Sequence, residues 1–360
     1  MNEHGGNIYK IARANGKAEY LDYSANINPL GLADSVRKAI LDNLESIIHY
    51  PDTEGYAVKE AIAQHYGICH ENIVLGNGAV ELMYVLGHVL KPRRIVTVAP
   101  AFSEYERTAE VCGARLHHIA LAEANGFCVE IPSVVRELER GDLLFLGNPN
   151  NPTGTMIERE KLIVLIEAAQ RCGATVAMDE SFIDFVADSE RYTVRHLTRE
   201  YDNVVVLHSL TKFYAIPGLR LGFAILPTRL AEQVEKGKDP WNVNTLAQAA
   251  GCVALTDTAY QERSRRIVAE AKDSLYRAIG EIEGLYPFVP SVNFMLVKIT
   301  KDGWDAPRLK KAMAEKERIL IRDCSQYEGL NQQFFRVAVK SPDENLRLIE
   351  ALKRVVGENI

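Results

Sequence analysis

The stretch HSLTKFYAIPGLRLG, residues 208–222, sets two cationic side chains among apolar residues, glycine and proline. It follows the apolar run Val204 to Leu207 and precedes a second apolar run, Phe223 to Leu226. Lys212 and Arg220 therefore lie between two segments that look like buried strands. Since short apolar runs bounded by turn residues are typical of strands inside a sheet, we expect residues 208–222 to connect two of them.

Similar apolar runs recur along residues 73–226, with helix-length amphipathic segments between most of them. The runs are NIVL near 73, RRIVTVA near 96, ARLHHIAL near 117, DLLFLG near 144, ATVAMD near 176, NVVVLHS near 205 and LGFAIL near 223. The segment EREKLIVLIEAAQRCG indicates a helix that ends at Gly173. This alternation predicts an α/β fold with a mostly parallel sheet flanked by helices, and ligands at the carboxyl ends of its strands.

The pattern changes after Pro240, where we predict a smaller α+β domain. A long helical segment has a break near Thr256 and Asp257, and the short strands SVNFMLVKI, RILIRDC and FFRVAVK follow it. We predict an N-terminal arm and helix over residues 1–45 that contacts substrate and packs with the small domain. The large domain covers 46–240, and a linking helix with the small C-terminal domain covers 241–360.

The composition excludes several classes of function. The formal net charge of -6 argues against general binding to nucleic acid or to acidic membranes, which both attract basic surfaces. No apolar run approaches the roughly 20 residues that span a bilayer, and MNEHGGNIYK lacks the apolar core of a signal peptide. The six cysteines form no C-x-x-C pair, and the histidines show no H-E-x-x-H spacing. We therefore predict a cytoplasmic protein with no metal site and no nucleic-acid or membrane partner.

Residues that suit an anionic cofactor follow the predicted strands. They are the turn GNGAVE at 76–81 with Gly78, Ala79 and Val80; Phe102; Asn151 within GNPNNPTG at 147–154; Asp179; and Ser209, Thr211, Lys212 and Arg220. Each has a structural explanation as well: a tight turn, a core aromatic, a capping Asp or an ion pair. Together they match pyridoxal phosphate, which needs an amine for its aldehyde, a carboxylate for its ring nitrogen, a stacking face, and phosphate donors.

The order of these motifs resembles the fold-type-I pyridoxal-phosphate enzymes, the aspartate aminotransferase superfamily. The matching elements are the Gly-rich turn, the aromatic, N-P-x-N-P-T-G, D-E-x-F, S-x-T-K and R-x-G, over residues 76–222, with a C-terminal arginine at Arg336. The resemblance implies the fold-type-I transferase fold with pyridoxal 5'-phosphate as cofactor. It implies that Lys212 binds the aldehyde and Asp179 pairs with the ring nitrogen, while Asn151 bonds the ring oxygen and Phe102 stacks on the ring.

The same resemblance implies a phosphate site and a partner subunit. Ser209, Thr211, Arg220 and the N–H groups of Ala79 and Val80, next to Gly78, would hold the cofactor phosphate. Tyr50, in HYPD, matches a tyrosine that reaches the cofactor of the other subunit in this superfamily. The expected assembly is therefore a homodimer with shared active sites.

Within the superfamily, the chain is similar to the threonine-phosphate decarboxylases and to the histidinol-phosphate aminotransferases. Four stretches resemble the decarboxylases: HGGNI at 4–8, YSANINPLG at 23–31, SLTKFYAIPGLRLG at 209–222, and RILIRDC with FFRVAVKS at 318–324 and 334–341. By this resemblance the residues that bind the substrate phosphate are His4, Gly5, Asn26 and Arg322. Arg336 and Asn151 would bind its carboxylate.

The expected reaction is decarboxylation of O-phospho-L-threonine to (R)-1-aminopropan-2-yl phosphate, the aminopropanol linker of adenosylcobalamin. Phe182 favours this interpretation, because aminotransferases near the histidinol-phosphate group usually keep a tyrosine there. A histidinol-phosphate or related phospho-amino-acid aminotransferase, or a phosphoserine decarboxylase, remains an alternative. A regulator that carries this fold behind a DNA-binding domain is disfavoured, because no basic helix-turn-helix precedes the fold.

Overall fold

The computed structural model describes residues 5–9, 13 and 19–357. Within these ranges the strands are, in chain order, β1 (Leu21–Asp22), β2 (Ile73–Gly76), β3 (Arg94–Ala99), β4 (Arg115–Ala120), β5 (Asp142–Gly147), β6 (Thr175–Asp179), β7 (Val204–Ser209), β8 (Gly222–Ile225), β9 (Leu285–Pro287), β10 (Phe294–Ile299), β11 (Ile319–Leu320), β12 (Arg322–Asp323) and β13 (Phe334–Ala338).

The α-helices of the described residues lie between these strands, except the last helix, which follows β13. They are α1 (Asp34–Asp42), α2 (Tyr56–Tyr66), α3 (Ala79–Leu90), α4 (Glu104–Cys112), α5 (Ile131–Glu137), α6 (Arg159–Cys172), α7 (Leu210–Phe213), α8 (Thr228–Gly237), α9 (Thr245–Thr256), α10 (Thr258–Gly280), α11 (Ala306–Ala312) and α12 (Pro342–Gly357).

The large sheet has the strand order β2-β8-β7-β6-β5-β3-β4. Neighbours among β3, β4, β5, β6 and β7 run parallel, whereas β8 runs antiparallel to both β2 and β7. Strands β2, β5, β7 and β8 are buried along their whole length, as their continuous apolar sequences predict. The prediction of a mostly parallel sheet flanked by helices, the fold-type-I transferase fold, is confirmed.

The parallel register brings the ends of several strands to one edge of the sheet. Gly147, the last residue of β5, pairs with Asp179 at the end of β6, and Asp179 pairs with Leu207 in β7. The chain then continues from β7 directly into α7, which carries Lys212. Residues far apart in sequence therefore meet at the edge where such sheets bind ligands.

A second, antiparallel sheet has the order β12-β13-β10-β9 and its own apolar core, which includes Leu275, Val297 and Phe335. The segment RILIRDC, expected to form one strand, divides into two. Its β11 pairs in parallel with β1, while its β12 pairs antiparallel with β13. The chain changes partner at Ile321, because β11 receives the N-terminal segment and β12 completes the small sheet.

Tyr23, which follows β1, is fully buried in this smaller core, whereas Val36 on α1 belongs to the apolar core of the large sheet. The domain boundaries at residues 45 and 240 stay a prediction. The predicted helix break lies between α9 and α10, where Asp257 accepts a hydrogen bond of 3.0 Å from the N–H of Tyr260 and caps the second helix. Gly173 follows α6 with a φ of 81°, in the left-handed region that glycine tolerates.

Two further properties concern only the ranges that the structure describes. None of the helices in these ranges combines the length and the apolar character that crossing a membrane requires. No cluster of three or more His, Cys, Asp or Glu side chains in these ranges has the geometry to hold a metal ion.

Candidate active site

A cavity of about 440 Å³ lies between the carboxyl edge of the large sheet and the strands β12 and β13. Most of the predicted site residues line it: Gly5, Asn26, Ala79, Val80, Phe102, Asn151, Asp179, Ser209, Thr211, Lys212, Arg220, Arg322 and Arg336. The structure thus gathers the N-terminal arm, the strand ends of the large sheet and the small sheet around one space.

Lys212 lies in the short helix α7, immediately after β7, and is partly buried. Burial, together with the positive charges of Arg220 and Arg336, lowers the pKa of its amine to about 8, against the opposing charge of Asp179. About a tenth of the amine is therefore neutral at pH 7, far more than for a lysine with the ordinary pKa. The neutral amine is the form that attacks a carbonyl carbon, so Lys212 suits covalent capture of an aldehyde.

Asp179 ends β6 and is 7% exposed. The hydroxyl of Tyr105 donates to its Oδ2 at 2.8 Å, and the N–H of Ser181 donates to its Oδ1 at 3.0 Å. Burial raises the pKa of this carboxyl, while the hydrogen bonds from Ser181 and Tyr105 and the nearby His208 oppose that rise. Each oxygen of the carboxyl group is thereby fixed by a donor, which sets its orientation in the cavity wall.

The N-terminus of α3 forms a cradle for an anion. Gly78 precedes the helix with a φ of 82°, and the first N–H groups of any α-helix lack partners within the helix. Arg220 packs so closely against Gly78 that a Cβ there would lie 2.3 Å from its Nη2 atom. Arg220 itself adopts a φ of 62°, which costs energy for a residue other than glycine. The backbone is thus bent to bring a guanidinium and the helix N-terminus together.

Two hydroxyl groups extend this cradle from the end of β7. The Oγ of Ser209 and the Oγ1 of Thr211 lie 2.7 Å apart, and both side chains are buried. Hydroxyls, helix N–H groups and an arginine are the donors that a phosphate ester requires. With the amine of Lys212 and the carboxylate of Asp179 on the same cavity, the donor set fits pyridoxal phosphate.

Arg336 connects the two sheets across the cavity. Its Nη1 donates to the Oδ1 of Asn151, and its Nη2 donates to the carbonyl oxygen of Ser24 at 2.9 Å. Its guanidinium lies over the ring of Phe294, 5.4 Å from the centroid. Because the oxygen of the Asn151 amide accepts from Arg336, the Nδ2 group of this cavity-lining residue remains available as a donor.

Arg322 lies beside Arg336, since the two residues are register partners on β12 and β13. It covers the ring of Tyr327 at 5.4 Å from the centroid. The Nε atoms of both arginines and the Oδ1 of Asn26 are buried and lack a hydrogen-bond partner among the described residues. Because buried polar atoms are nearly always paired, a polar ligand in this cavity could supply the partners that these three atoms lack.

The N-terminal arm closes one wall of the cavity. Gly6 donates its N–H to the Oγ of Ser24 at 2.8 Å, and a Cβ on Gly5 would lie 2.0 Å from the carbonyl oxygen of Ser24. Glycine at position 5 therefore lets the arm lie directly against the chain that precedes Asn26. His4, the other predicted arm residue, lies outside the described residues.

Tyr50 is a predicted cofactor-binding residue that does not line the cavity of this chain. Its side chain is 80% exposed and its ring lies 5.0 Å from the ring of Trp241. The predicted contact would be made with the cofactor of a second subunit, so it stays a prediction. Phe182 does line the cavity, where it packs edge-on against Phe294 at 4.9 Å.

Several residues that line the cavity were not predicted from the sequence. They include Ser24, Met83, Glu104, Tyr105, Arg107, Ser181 and Tyr327. The most consequential is Tyr105, which contacts Asp179 from a helix 74 positions earlier in the chain. The available signal was proximity in sequence, because Tyr105 follows the predicted site residue Phe102 by three positions, across the turn that leads into α4.

Comparison with known proteins identifies relatives over nearly the whole chain. The family described as aminotransferase class I and II matches residues 18–352. The chain is 36% identical over 358 residues to the threonine-phosphate decarboxylase of Salmonella typhimurium strain LT2, covering 98% of this chain and 96% of that protein. It is 32% identical over 359 residues to the adenosylcobalamin biosynthesis bifunctional protein CobDQ of Leptospira interrogans, covering 98% of this chain and 41% of that protein.

A solved structure of an enzyme with a different name has the same fold. The crystal structure of the histidinol-phosphate aminotransferase from Clostridium acetobutylicum superposes with a TM-score of 0.85 at 30% identity. The match covers 94% of this chain and 99% of that one.

Proposed function

The chain belongs to the aminotransferase class I and II family, and from this premise we propose that it is a pyridoxal-phosphate-dependent threonine-phosphate decarboxylase. It converts O-phospho-L-threonine to (R)-1-aminopropan-2-yl phosphate and CO2, and so supplies the aminopropanol linker of adenosylcobalamin. The relatives in Salmonella and Leptospira, one named for this decarboxylation and one for adenosylcobalamin synthesis, support both parts of the proposal.

The observation that carries the substrate class is the pair Arg322 and Arg336 on adjacent strands. Both arginines line the cavity, both are buried, and each has an Nε without a partner among the described residues. A guanidinium binds carboxylate and phosphate through paired N–H groups, so two of them suit a substrate that carries both anions. Arg336 also bonds Asn151, which we assign to the substrate carboxylate and to the cofactor ring oxygen.

The cofactor site is assigned residue by residue to the donors around the cavity. Ser209, Thr211, Arg220 and the N–H groups at the start of α3 would hold the phosphate. Phe102 would stack on the ring. Pyridoxal phosphate, when bound, supplies an aldehyde that takes up an amine and a protonated ring that withdraws electrons from the carbon beside that amine.

The catalytic steps assigned to this chain are proton transfers and orientation. Asp179 holds a proton on the ring nitrogen through its ionised carboxylate. Arg336 and Asn151 orient the substrate carboxylate so that the bond from Cα to the carboxylate carbon is the one that breaks. After CO2 leaves, Lys212 donates a proton from Nζ to Cα, and the product carries hydrogen where the substrate carried the carboxylate.

A homodimer and a cytoplasmic location complete the proposal. Support for the dimer comes from an exposed apolar surface beside Tyr50. Its exposed residues are Leu41, Leu44, Ile47, Ile48, Tyr50 and Trp241. Exposed apolar surface of this kind is typical of a protein interface. Light scattering should give twice the chain mass, and a monomer that retains full activity would contradict shared active sites.

The reaction is tested by analysing the products of the holoenzyme. With O-phosphothreonine alone, we expect CO2 and 1-aminopropan-2-yl phosphate, without any oxo-acid acceptor. Histidinol phosphate with 2-oxoglutarate should give little glutamate, and O-phosphoserine in a parallel reaction measures the side-chain preference.

The histidinol-phosphate aminotransferase is the second candidate, supported by the solved structure at 30% identity. Phe182 argues against this candidate, because aminotransferases near the histidinol-phosphate group usually have a tyrosine at this position and phenylalanine lacks its hydroxyl. Glutamate formation from histidinol phosphate, with no CO2 from O-phosphothreonine, would reverse the assignment.

A further inference from the structure

Tyr105 has no role in the assignments above, yet its hydroxyl is bonded to the central carboxylate of the site. It donates to the Oδ2 of Asp179 at 2.8 Å, and the side chains of both residues are buried. Both also line the cavity. A tyrosine hydroxyl in this position touches the group that we assign to the cofactor ring nitrogen.

The ring of Tyr105 is fixed by aromatic packing on two sides. It stacks on Phe145 with 4° between the ring planes and 5.2 Å between centroids. Phe102 packs edge-on against it at 5.7 Å. A Cβ at Gly147, the last residue of β5, would lie 3.3 Å from the hydroxyl oxygen of Tyr105. Glycine at this position therefore avoids a close contact with the hydroxyl. The orientation of the hydroxyl therefore comes from the fold of the large sheet.

In its hydrogen bond with Asp179, the hydroxyl of Tyr105 is the donor. Burial and the charge of Asp179 raise the pKa of Tyr105 well above its usual value, so its hydroxyl keeps its proton. The other groups that act on Asp179 are the N–H of Ser181, which follows β6, His208 on β7 and Lys212 on α7. Among these, Tyr105 and Ser181 are the donors bonded to the carboxylate oxygens.

We propose that Tyr105 is a positioning residue that keeps Asp179 ionised, so that the shared proton stays on the cofactor ring nitrogen. The proposal rests on the assignment of Asp179 to that nitrogen. A buried carboxylate tends to take up a proton, and hydrogen bonds to its oxygens favour the ionised form instead. Loss of the Tyr105 hydroxyl moves the shared proton toward the carboxylate and leaves the ring a weaker electron acceptor.

The test compares the wild-type holoenzyme with Tyr105→Phe, each carrying pyridoxal phosphate labelled with ¹⁵N in the ring. The substitution removes the hydroxyl and retains the ring that packs on Phe145. We expect the ¹⁵N signal to move from the value of a protonated ring toward that of a neutral ring. Turnover should fall by roughly tenfold or more, the effect of a hydrogen bond to a charged group.

Tyr201→Phe is the matched control. Its hydroxyl donates to a carboxylate, the Oε1 of Glu167, at 3.2 Å, and Tyr201 does not line the cavity. This variant should keep the wild-type ¹⁵N signal and turnover. An unchanged signal in Tyr105→Phe with bound cofactor overturns the role of Tyr105 alone. A wild-type protein that binds no labelled cofactor overturns the proposed function as well.

A second measurement applies if Tyr105→Phe does not fold. With 3-fluorotyrosine at position 105 the hydroxyl is retained, and its ¹⁹F signal reports the hydrogen bond to Asp179. In the holoenzyme, Asp179→Asn should shift this signal, while the signal of 3-fluorotyrosine at position 201 should stay in place. If Asp179→Asn leaves the ¹⁹F signal at position 105 unchanged, the proposal is overturned.

Discussion

The two halves of the cavity differ in how far their polar groups are paired within the protein. At the edge of the large sheet, Asp179 has a donor on each carboxylate oxygen, and Ser209 and Thr211 bond one another. At the small sheet, the Nε atoms of Arg322 and Arg336 are buried without a partner among the described residues. The first half is preorganised within the chain, and the second half keeps buried donors open.

This difference follows from what each half has to bind. A buried donor without a partner costs roughly 1–3 kcal/mol, and a ligand that supplies the acceptor removes that cost. The half that we assign to the cofactor holds one fixed group, so its residues can be oriented permanently. The half that we assign to substrate must bind and release, and open donors make its affinity depend on the anions of the ligand. We therefore expect substitutions in the first half to reduce chemistry and those in the second to reduce binding.

The largest effect should come from Lys212→Ala in the preorganised half. Without the amine, the protein has no group at this position to bind the aldehyde or to return a proton to Cα. Turnover and the visible absorbance of the bound cofactor should both be abolished. Borohydride reduction of the wild type, followed by peptide mapping, should find the cofactor on Lys212.

Lys59 provides an internal control in the same mapping experiment. It is a buried lysine that pairs with Glu235 at 3.5 Å and does not line the cavity. Reduction should leave Lys59 unmodified. Recovery of the cofactor on any lysine other than Lys212 would contradict the assignment.

Asp179→Asn should have the next largest effect. The amide has nearly the shape of the carboxylate but lacks the charge that holds a proton on the ring nitrogen. Turnover should fall by orders of magnitude while the fold and a bound cofactor persist, as circular dichroism and absorbance would show. Near-normal turnover with cofactor bound would contradict the role of Asp179 in keeping the ring nitrogen protonated.

The preorganised half was also the half that the sequence predicted well. Asp179 and Ser209 end two mostly apolar strands, and Lys212 follows the second of them by three residues, so the apolar runs in the sequence predicted where these side chains lie in the fold. The same reasoning missed Tyr105, because a tyrosine within a helix looks like any core aromatic. Its contact with Asp179 depends on how α4 packs against the sheet, which local sequence does not encode.

The open half was predicted mainly through the family resemblance. The strand pattern alone predicted that RILIRDC forms one strand. The change of pairing partner at Ile321 depends on β1, which lies about 300 residues earlier in the chain. That exchange is what places Arg322 beside Arg336. Pairing between such distant segments is set by the packing of the small core and leaves no periodic signal in the sequence.

In the open half, Arg322→Ala should mainly weaken substrate binding. Its guanidinium is assigned to the phosphate, which is remote from the bond that breaks, so KM should rise by roughly two orders of magnitude. Arg336→Ala should also lower kcat, because the substrate carboxylate loses its orientation. Steady-state kinetics separate the two effects. Arg354→Ala, at an exposed arginine paired with Glu317, is the control and should change neither constant. A kcat loss in Arg322→Ala at unchanged KM would contradict the division into halves.

The smallest expected effect concerns the pKa of Lys212, which arginines from both halves of the cavity influence. Burial, Arg220 from one half and Arg336 from the other lower the pKa of its amine to about 8. Only the neutral amine attacks the aldehyde, so capture of pyridoxal phosphate by the apoprotein should accelerate as pH rises through about 8 and then level off. Since about a tenth of an amine with this pKa is neutral at pH 7, the gain should be about tenfold.

Arg336→Met and Arg322→Met then test which half sets that midpoint. Removing the Arg336 charge should raise the pKa of Lys212, so the capture rate should level off at a higher pH. Removing Arg322, which is not among the groups that shift Lys212, should leave the midpoint near 8. Stopped-flow absorbance across pH measures both. A midpoint near the 10.4 of a free lysine in the wild type would show that the cavity does not depress this pKa, and equal shifts in both variants would show that Arg336 has no particular influence on it.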